Sequence, residues 1–141
     1  MKTEHVIALI ARVRDRAYEF IIRELNQRKI TGLVPSHGGI VSNLFKKDRV
    51  PMKEIAERIG RDKSTVTALV NKLVRAGYVV KEKDPGDKRI TYLCLTAKGR
   101  SLERDFDMIS ERLIATAFSG FSQKEREEIV RGVVKMLNNF K

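Results

Sequence analysis

The 141-residue chain has one cysteine, two histidines and no apolar run near the roughly 18 residues that a membrane span requires. Cys94 has no partner for an internal disulfide, which suits a reducing compartment. At the N-terminus Lys2, Glu4 and His5 are followed by Arg12, Arg14, Arg16 and Arg23, which interrupt the apolar positions. That is not the form of a secretory signal, so a cytoplasmic location with no membrane partner is expected. His5 and His37 have neither a Cys nor a second His close by in sequence, so no metal or other cofactor is expected. Gly38-Gly39 lacks the remaining spacing of a phosphate-binding loop, and two histidines give no Ser/His/Asp set. Catalysis is not the expected function.

What remains is a globular composition, 42% hydrophobic and 33% charged, with a net charge of +11. A chain of this length forms about one domain and buries roughly two-thirds of its unfolded surface without disulfides or metals. The excess charge is unevenly placed. Residues 46–104 carry sixteen basic and eight acidic side chains, against seven and four before them and six and six after them. A cationic middle segment points to a polyanionic partner, although a merely well-solvated surface would look similar.

Hydrophobic periodicity divides the chain into elements. Val6, Ile10, Val13, Ala17 and Phe20/Ile21 predict one long helix over 4–29, ended by Thr31-Gly32. A stripe that long needs cover that a short chain scarcely has, so pairing with a second copy is expected. Ser36 is the expected N-cap of a helix to Lys47, and Asp48 to Pro51 reads as a break. Pro51 fits the first turn of a helix from Met52 to Ile59, and Gly60 fits its left-handed stop. Asp62 then opens a helix to Ala76 whose inner face is Val66, Leu69, Val70 and Leu73. Two short helices around a tight glycine turn make a helix-turn-helix.

After Gly77 the period changes. Tyr78-Val79-Val80 and Ile90 to Leu95 read as two antiparallel strands, with Lys81 to Arg89 as a charged loop around Asp84-Pro85-Gly86-Asp87. Thr96 caps an expected single helix to about Thr116. Ser122 and Glu125 form a capping box before a last helix that carries Ile129, Val133, Met136, Leu137 and Phe140.

Helix, turn, helix and basic hairpin in that order form the plan of a winged helix-turn-helix. Its second helix enters the DNA major groove, and its hairpin tip reaches backbone or minor groove. On the outer face of the 62–76 helix lie Ser64, Thr65, Thr67, Ala68, Asn71, Lys72 and Arg75. Small hydroxyl residues permit close approach, Asn71 could pair with adenine, and Lys72 and Arg75 suit phosphate or guanine. For Ser64 and Thr65, simple assistance to the Asp62 cap is an equal alternative. At the hairpin, Lys88 and Arg89 supply cations, and Asp87 is placed to hold the Arg89 guanidinium by a charge-assisted bond.

Asp87-Lys88-Arg89, followed by Leu95-Thr96-Ala97-Lys98-Gly99-Arg100, resembles the wing signature of the MarR (multiple antibiotic resistance regulator) family of transcription factors. Lys63 to Leu73, running on to Gly77-Tyr78-Val79, is similar to that family's recognition helix. The resemblance implies a mainly α fold with a small β-wing. Residues 1–35 would be an N-terminal dimerisation helix, 36–100 a winged DNA-binding domain and 101–141 C-terminal dimerisation helices. It also implies a homodimer on pseudo-palindromic double-stranded DNA, commonly as a repressor. Ser64, Thr65, Thr67 and Asn71 would contact the duplex, and Asp87 and Arg89 would form the wing. Gly86 and Ala68 depart from the family pattern, where many members carry a basic residue and an arginine.

Family members often sense a small phenolic or lipophilic molecule, an oxidant or a metal near the cleft between dimer helices and winged domain. Arg14, Tyr18 and His37 are the candidates here for holding an anionic phenol. Cys94 sits among leucines on a strand, and a packing role is expected for it. Two other readings stay open: a winged module that meets an acidic protein, and sequence-blind architectural DNA binding.

Overall fold

The computed structural model describes residues 2–140. After one 3-10 turn at Thr3–His5 the order is α1 (Val6–Gln27), α2 (His37–Lys46), β1 (Arg49–Pro51), α3 (Met52–Ile59) and α4 (Lys63–Arg75). Then come β2 (Val79–Lys83), β3 (Thr91–Leu95), α5 (Ala97–Arg100), α6 (Glu103–Ala117) and α7 (Gln123–Asn139). Among these no helix is long and apolar enough to cross a membrane.

Helix α1 stops a turn before Thr31-Gly32. Lys29, not a glycine, takes the left-handed conformation at φ 57°. The Lys29 N–H bonds back to the Asn26 carbonyl and the Ile30 N–H to that of Leu25, both at 3.0 Å. Leu25 and Ile30 are both buried, and this apolar contact is what fixes the stop without glycine. Ser36 holds the N-cap position of α2 but makes no capping bond. The Val34 N–H instead donates to His37 Nδ1 at 2.9 Å, so the histidine ring organises that helix start.

The expected break at 48–51 is a third strand. β1 pairs antiparallel with β3, which pairs with β2, so the sheet order is β1-β3-β2. Val50 lies opposite Leu93 and both are fully excluded from solvent. Three residues ending in proline show no alternation, so only the packed partner reveals this strand. β2 also runs further than expected, to Lys83 opposite Thr91. The single helix expected from Thr96 is two. The Thr96 hydroxyl caps α5 by accepting the Gly99 N–H, and a 3-10-type bond from Leu102 N–H to the Gly99 carbonyl separates α5 from α6.

Ile40, Val41 and Leu44 of α2 meet Ile55 of α3, Val66, Val70 and Leu73 of α4, and Val79 and Leu93 of the sheet in one core. Each fully buried side chain of this size contributes about 1.5–3 kcal/mol, so these elements hold one another rigidly. Between α1 and α6 a charged cluster does the joining: buried Glu24 accepts from Arg112 and, at 2.5 Å, from Arg28, which also faces Asp105. Those two guanidinium donors, Arg112 first, hold the Glu24 carboxyl below its ordinary pKa against the opposing effect of desolvation. Helix α7 opens on the capping box of Ser122 and Glu125, with both reciprocal bonds formed. It buries no residue, and Ile129, Val130, Val133, Val134 and Leu137 stay exposed along it.

Candidate nucleic-acid interface

Asp62 begins the site. Its Oδ1 accepts the Thr65 N–H and the Ser64 hydroxyl, both at 2.8 Å, which close the first turn of α4. These donors, the Thr65 N–H foremost, hold the Asp62 carboxyl below its usual range. Ser64 therefore spends its proton on the cap and turns only an acceptor oxygen outward. Thr67 does likewise, donating to the Lys63 carbonyl at 2.8 Å. With Val66, Val70 and Leu73 buried, the helical period turns Ser64, Ala68, Asn71, Lys72 and Arg75 to solvent, and Thr65 and Thr67 lie half-buried on the flanks.

Lys72 and Arg75 border a shallow groove with Gly32, Leu33, Val34 and Ala76, and His37 forms its floor. His37 is fully buried. Its Nε2 lies 3.2 Å from the Leu69 carbonyl and its Nδ1 accepts from Val34, so the ring is neutral with its proton on Nε2. Burial pushes its pKa down, outweighing the Leu69 hydrogen bond, and nearby Lys72 adds to the effect.

The hairpin is organised by two aspartates. Asp84 Oδ2 accepts the N–H groups of Gly86 and Asp87 at 3.0 and 2.9 Å, while its Oδ1 accepts the Tyr92 hydroxyl at 3.2 Å. Asp87 holds Arg89 as a fork: Oδ1 accepts Nε and Oδ2 accepts Nη2, each at 3.0 Å. Arg89 is 91% exposed, so the fork aims a charge outward at no burial cost. The pair lowers the Asp87 pKa and raises that of Arg89. Lys88 is exposed beside it, and its carbonyl accepts from Lys83.

Lys81 lay in the expected loop and was absent from the candidate residues. On the longer β2 it reaches α4 and donates from Nζ to Asn71 Oδ1 at 2.6 Å, joining α4 to the hairpin. Strand alternation from buried Val79 carries the signal, once the strand is known to continue. On the opposite face of the sheet Arg49 stacks 3.7 Å above the Tyr92 ring and faces Glu82 at 3.3 Å.

Of Arg14, Tyr18 and His37, only His37 borders the groove beside Lys72 and Arg75. Arg14 is exposed beside Asp15, Tyr18 is half-buried, and His37 lies under the Lys72–Arg75 groove. Further along α1, a cavity of about 430 Å³ opens between α1, α2 and α6, lined among others by Ile21, Leu25, Phe45, Lys46, Phe106 and Asp107. Cys94 is half-buried, opposite Val80 and Arg49 in the sheet. Burial, with Glu82 second, raises its pKa and keeps the thiol protonated. Among the described residues no cluster of three His, Cys, Asp or Glu side chains could hold a metal.

A family model described as MarR family matches residues 31–90, the segment from the end of α1 to the wing tip. YkoM of Bacillus subtilis, an HTH-type transcriptional regulator, is 31% identical over 120 residues, which span 84% of this chain and 78% of that protein. The chain belongs to the MarR family. Its fold matches that of Bordetella bronchiseptica BpsR, with a TM-score of 0.82 at 21% identity over 96% of this chain and 95% of that one. It also matches reduced AbfR bound to DNA, with a TM-score of 0.77 at 20% identity over 98% and 92%. The resemblance read from Lys63 to Leu73 and from Asp87 to Arg100 is thus correct, and so is the mainly α winged architecture. As a MarR-family protein the chain is a DNA-binding transcription regulator and not an enzyme.

Proposed function

We propose that this MarR-family chain acts as a homodimeric repressor on a pseudo-palindromic operator in the cytoplasm. The observation that carries the DNA contact is the hydrogen-bonded continuity from α4 through Asn71 and Lys81 to the wing that ends in Arg89. Ser64, Thr65, Thr67, Ala68, Asn71, Lys72 and Arg75 would face the major groove, and Asp87, Lys88 and Arg89 the neighbouring backbone or minor groove. The two copies of α4 would sit about 34 Å apart, one helical turn of DNA. AbfR, with the same fold, is described bound to DNA.

The dimer would be built from residues 1–35 and 101–141, around the winged domain of residues 36–100. Supporting it are the exposed Ile7, Ile10 and Val13 of α1 and the wholly unburied apolar row of α7. Each such side chain gains about 1.5–3 kcal/mol on burial, far more than an isolated helix provides.

For an effector, the α1–α2–α6 cavity is of a size for a small aromatic molecule. The regulation of DNA binding by 6-hydroxynicotinic acid is described for BpsR. Lys46 and Asp107 both border the cavity, and Phe45 meets Phe106 there edge to face. That lining suits a neutral phenol better than an anion. Arg14, Tyr18 and His37 stand apart from it in one protomer and remain the second proposal for the effector.

The decisive experiment is a gel-shift series on DNA fragments from around the chain's own gene. Saturable binding to one fragment, lost in Arg89→Ala, supports the repressor reading. Equal affinity for competitor DNA favours sequence-blind coating, and no DNA binding with capture by an acidic protein favours the interaction module.

A further inference from the structure

We infer that Lys81 sets what Asn71 reads, turning a side chain that could recognise adenine into one that selects guanine or thymine. The inference rests on the proposed placement of α4 in the major groove. Its physical ground is the register of β2. Lys81 stands opposite Leu93 and two residues from Val79, so it emerges on the sheet face that packs against α4. Val79 and Leu93 fill the core there, and Lys81, one step further out, extends past it to Asn71.

An ammonium group has protons to give and no lone pair. The 2.6 Å contact therefore fixes the orientation of the Asn71 amide, with Oδ1 toward Lys81 and the NH2 group away. A free asparagine binds adenine by two bonds at once, accepting from N6 and donating to N7. Here the accepting atom is already engaged by a cation, and the outward group is a donor. The Lys81 ammonium beside it also offers only donors. A base that presents its own donor at this point, adenine N6 or cytosine N4, meets only the second lone pair of an oxygen already turned toward the ammonium, and faces the NH2 group instead. Guanine presents N7 and O6 and thymine presents O4, all acceptors.

Ser64 and Thr67, two turns and one turn earlier, have their hydroxyl protons bound within the helix and offer acceptors. The reading face thus runs from acceptors near the start of α4 to donors at Asn71, Lys72 and Arg75.

The test uses the full chain, as wild type and as Lys81→Met, Lys81→Arg and Asn71→Ala, each selecting from a randomised duplex library followed by quantitative competition. Asn71→Ala identifies the base pair that Asn71 faces. At that pair the wild type is expected to prefer guanine or thymine over adenine by about tenfold, and Lys81→Met to move the preference toward adenine by a similar factor. Lys81→Arg, which keeps the donor, should retain the wild-type choice, and all other positions should be unchanged. Two results would overturn the inference while leaving DNA binding intact: adenine preferred by the wild type, or a Lys81→Met loss that is uniform across sequences, as for a simple phosphate contact. If no duplex is selected by any of the proteins, the DNA-binding reading fails and takes this inference with it.

Discussion

His37 Nε2 lies 3.2 Å from the carbonyl oxygen of Leu69, so the first residue of α2 is tied to the middle of α4. Its other nitrogen holds the Val34 N–H, in the loop that leaves α1. One buried ring thus joins the connection from the long first helix to α4. Neither bond needs a charge, and the neutral ring satisfies both.

Stability should therefore respond to acid through His37. Its native pKa is depressed by burial, below the ordinary value of 6.5. Above that value both folded and unfolded histidine are neutral and the contribution is fully present. As pH falls below it, the unfolded chain binds a proton that the folded chain resists, and stability is lost until the depressed native pKa is reached. Urea unfolding at pH 7.5 and 5.5 should show this loss in the wild type and a smaller one in His37→Gln. His37→Ala leaves a cavity and an unpaired Val34 N–H, and should cost about 3 kcal/mol at pH 7.5. An equal pH response in His37→Gln would remove the histidine from the explanation.

Gly99 is the tightest point behind the wing. A β-carbon there would lie 2.1 Å from the Tyr78 carbonyl oxygen, which already accepts the Thr96 N–H. Backbone cannot swing aside as a side-chain tip can, so α5 would have to lift from the end of β3. Gly99→Ala should lose about 2–4 kcal/mol and lower Tm by roughly 10 °C, measured by thermal circular dichroism. A Tm within a degree of wild type would mean that α5 moves freely.

Much of this was legible in advance because the helices bury regular faces. Val66, Val70 and Leu73 show the period of α4, and Asp62 and Gly60 mark its start and the preceding stop. The fork of Asp87 and Arg89 was readable for another reason: two residues of spacing brings the charges together whatever lies around them. Contacts between distant segments were not readable. β1 exists only by pairing with β3, Lys29 adopts a glycine's conformation only because Leu25 and Ile30 pack, and Lys81 meets Asn71 only because β2 outruns its apolar residues.

The apolar rows of α1 and α7 make a direct prediction about assembly. Ile10 is 38% exposed and Val133 44% exposed, both in rows that continue along their helices. An aspartate in either row would have to lose its water on dimerisation, with no cation designed to receive it. Ile10→Asp and Val133→Asp should sediment as monomers at micromolar concentration while keeping the wild-type circular dichroism spectrum. Tight operator binding should fall with the dimer, since the two half-sites are then bound independently. A variant that remains dimeric would place the subunit contact elsewhere.

The wing makes the remaining prediction, because Asp87 and Arg89 divide charge from aim. Arg89→Ala removes a cation that is 91% exposed, and should weaken binding on many sequences by about tenfold and reduce the slope of log K against log salt by about one. Asp87→Asn keeps the cation but leaves only a neutral partner for the fork that now holds Nε and Nη2 at 3.0 Å. It should leave the salt slope near the wild-type value while weakening the operator more than competitor DNA, because orientation and not charge has been lost. Fluorescence anisotropy across a salt series separates the two effects. If Asp87→Asn instead strengthened binding on all sequences alike, the carboxylate would be merely a repulsive charge near phosphate and not the group that aims Arg89.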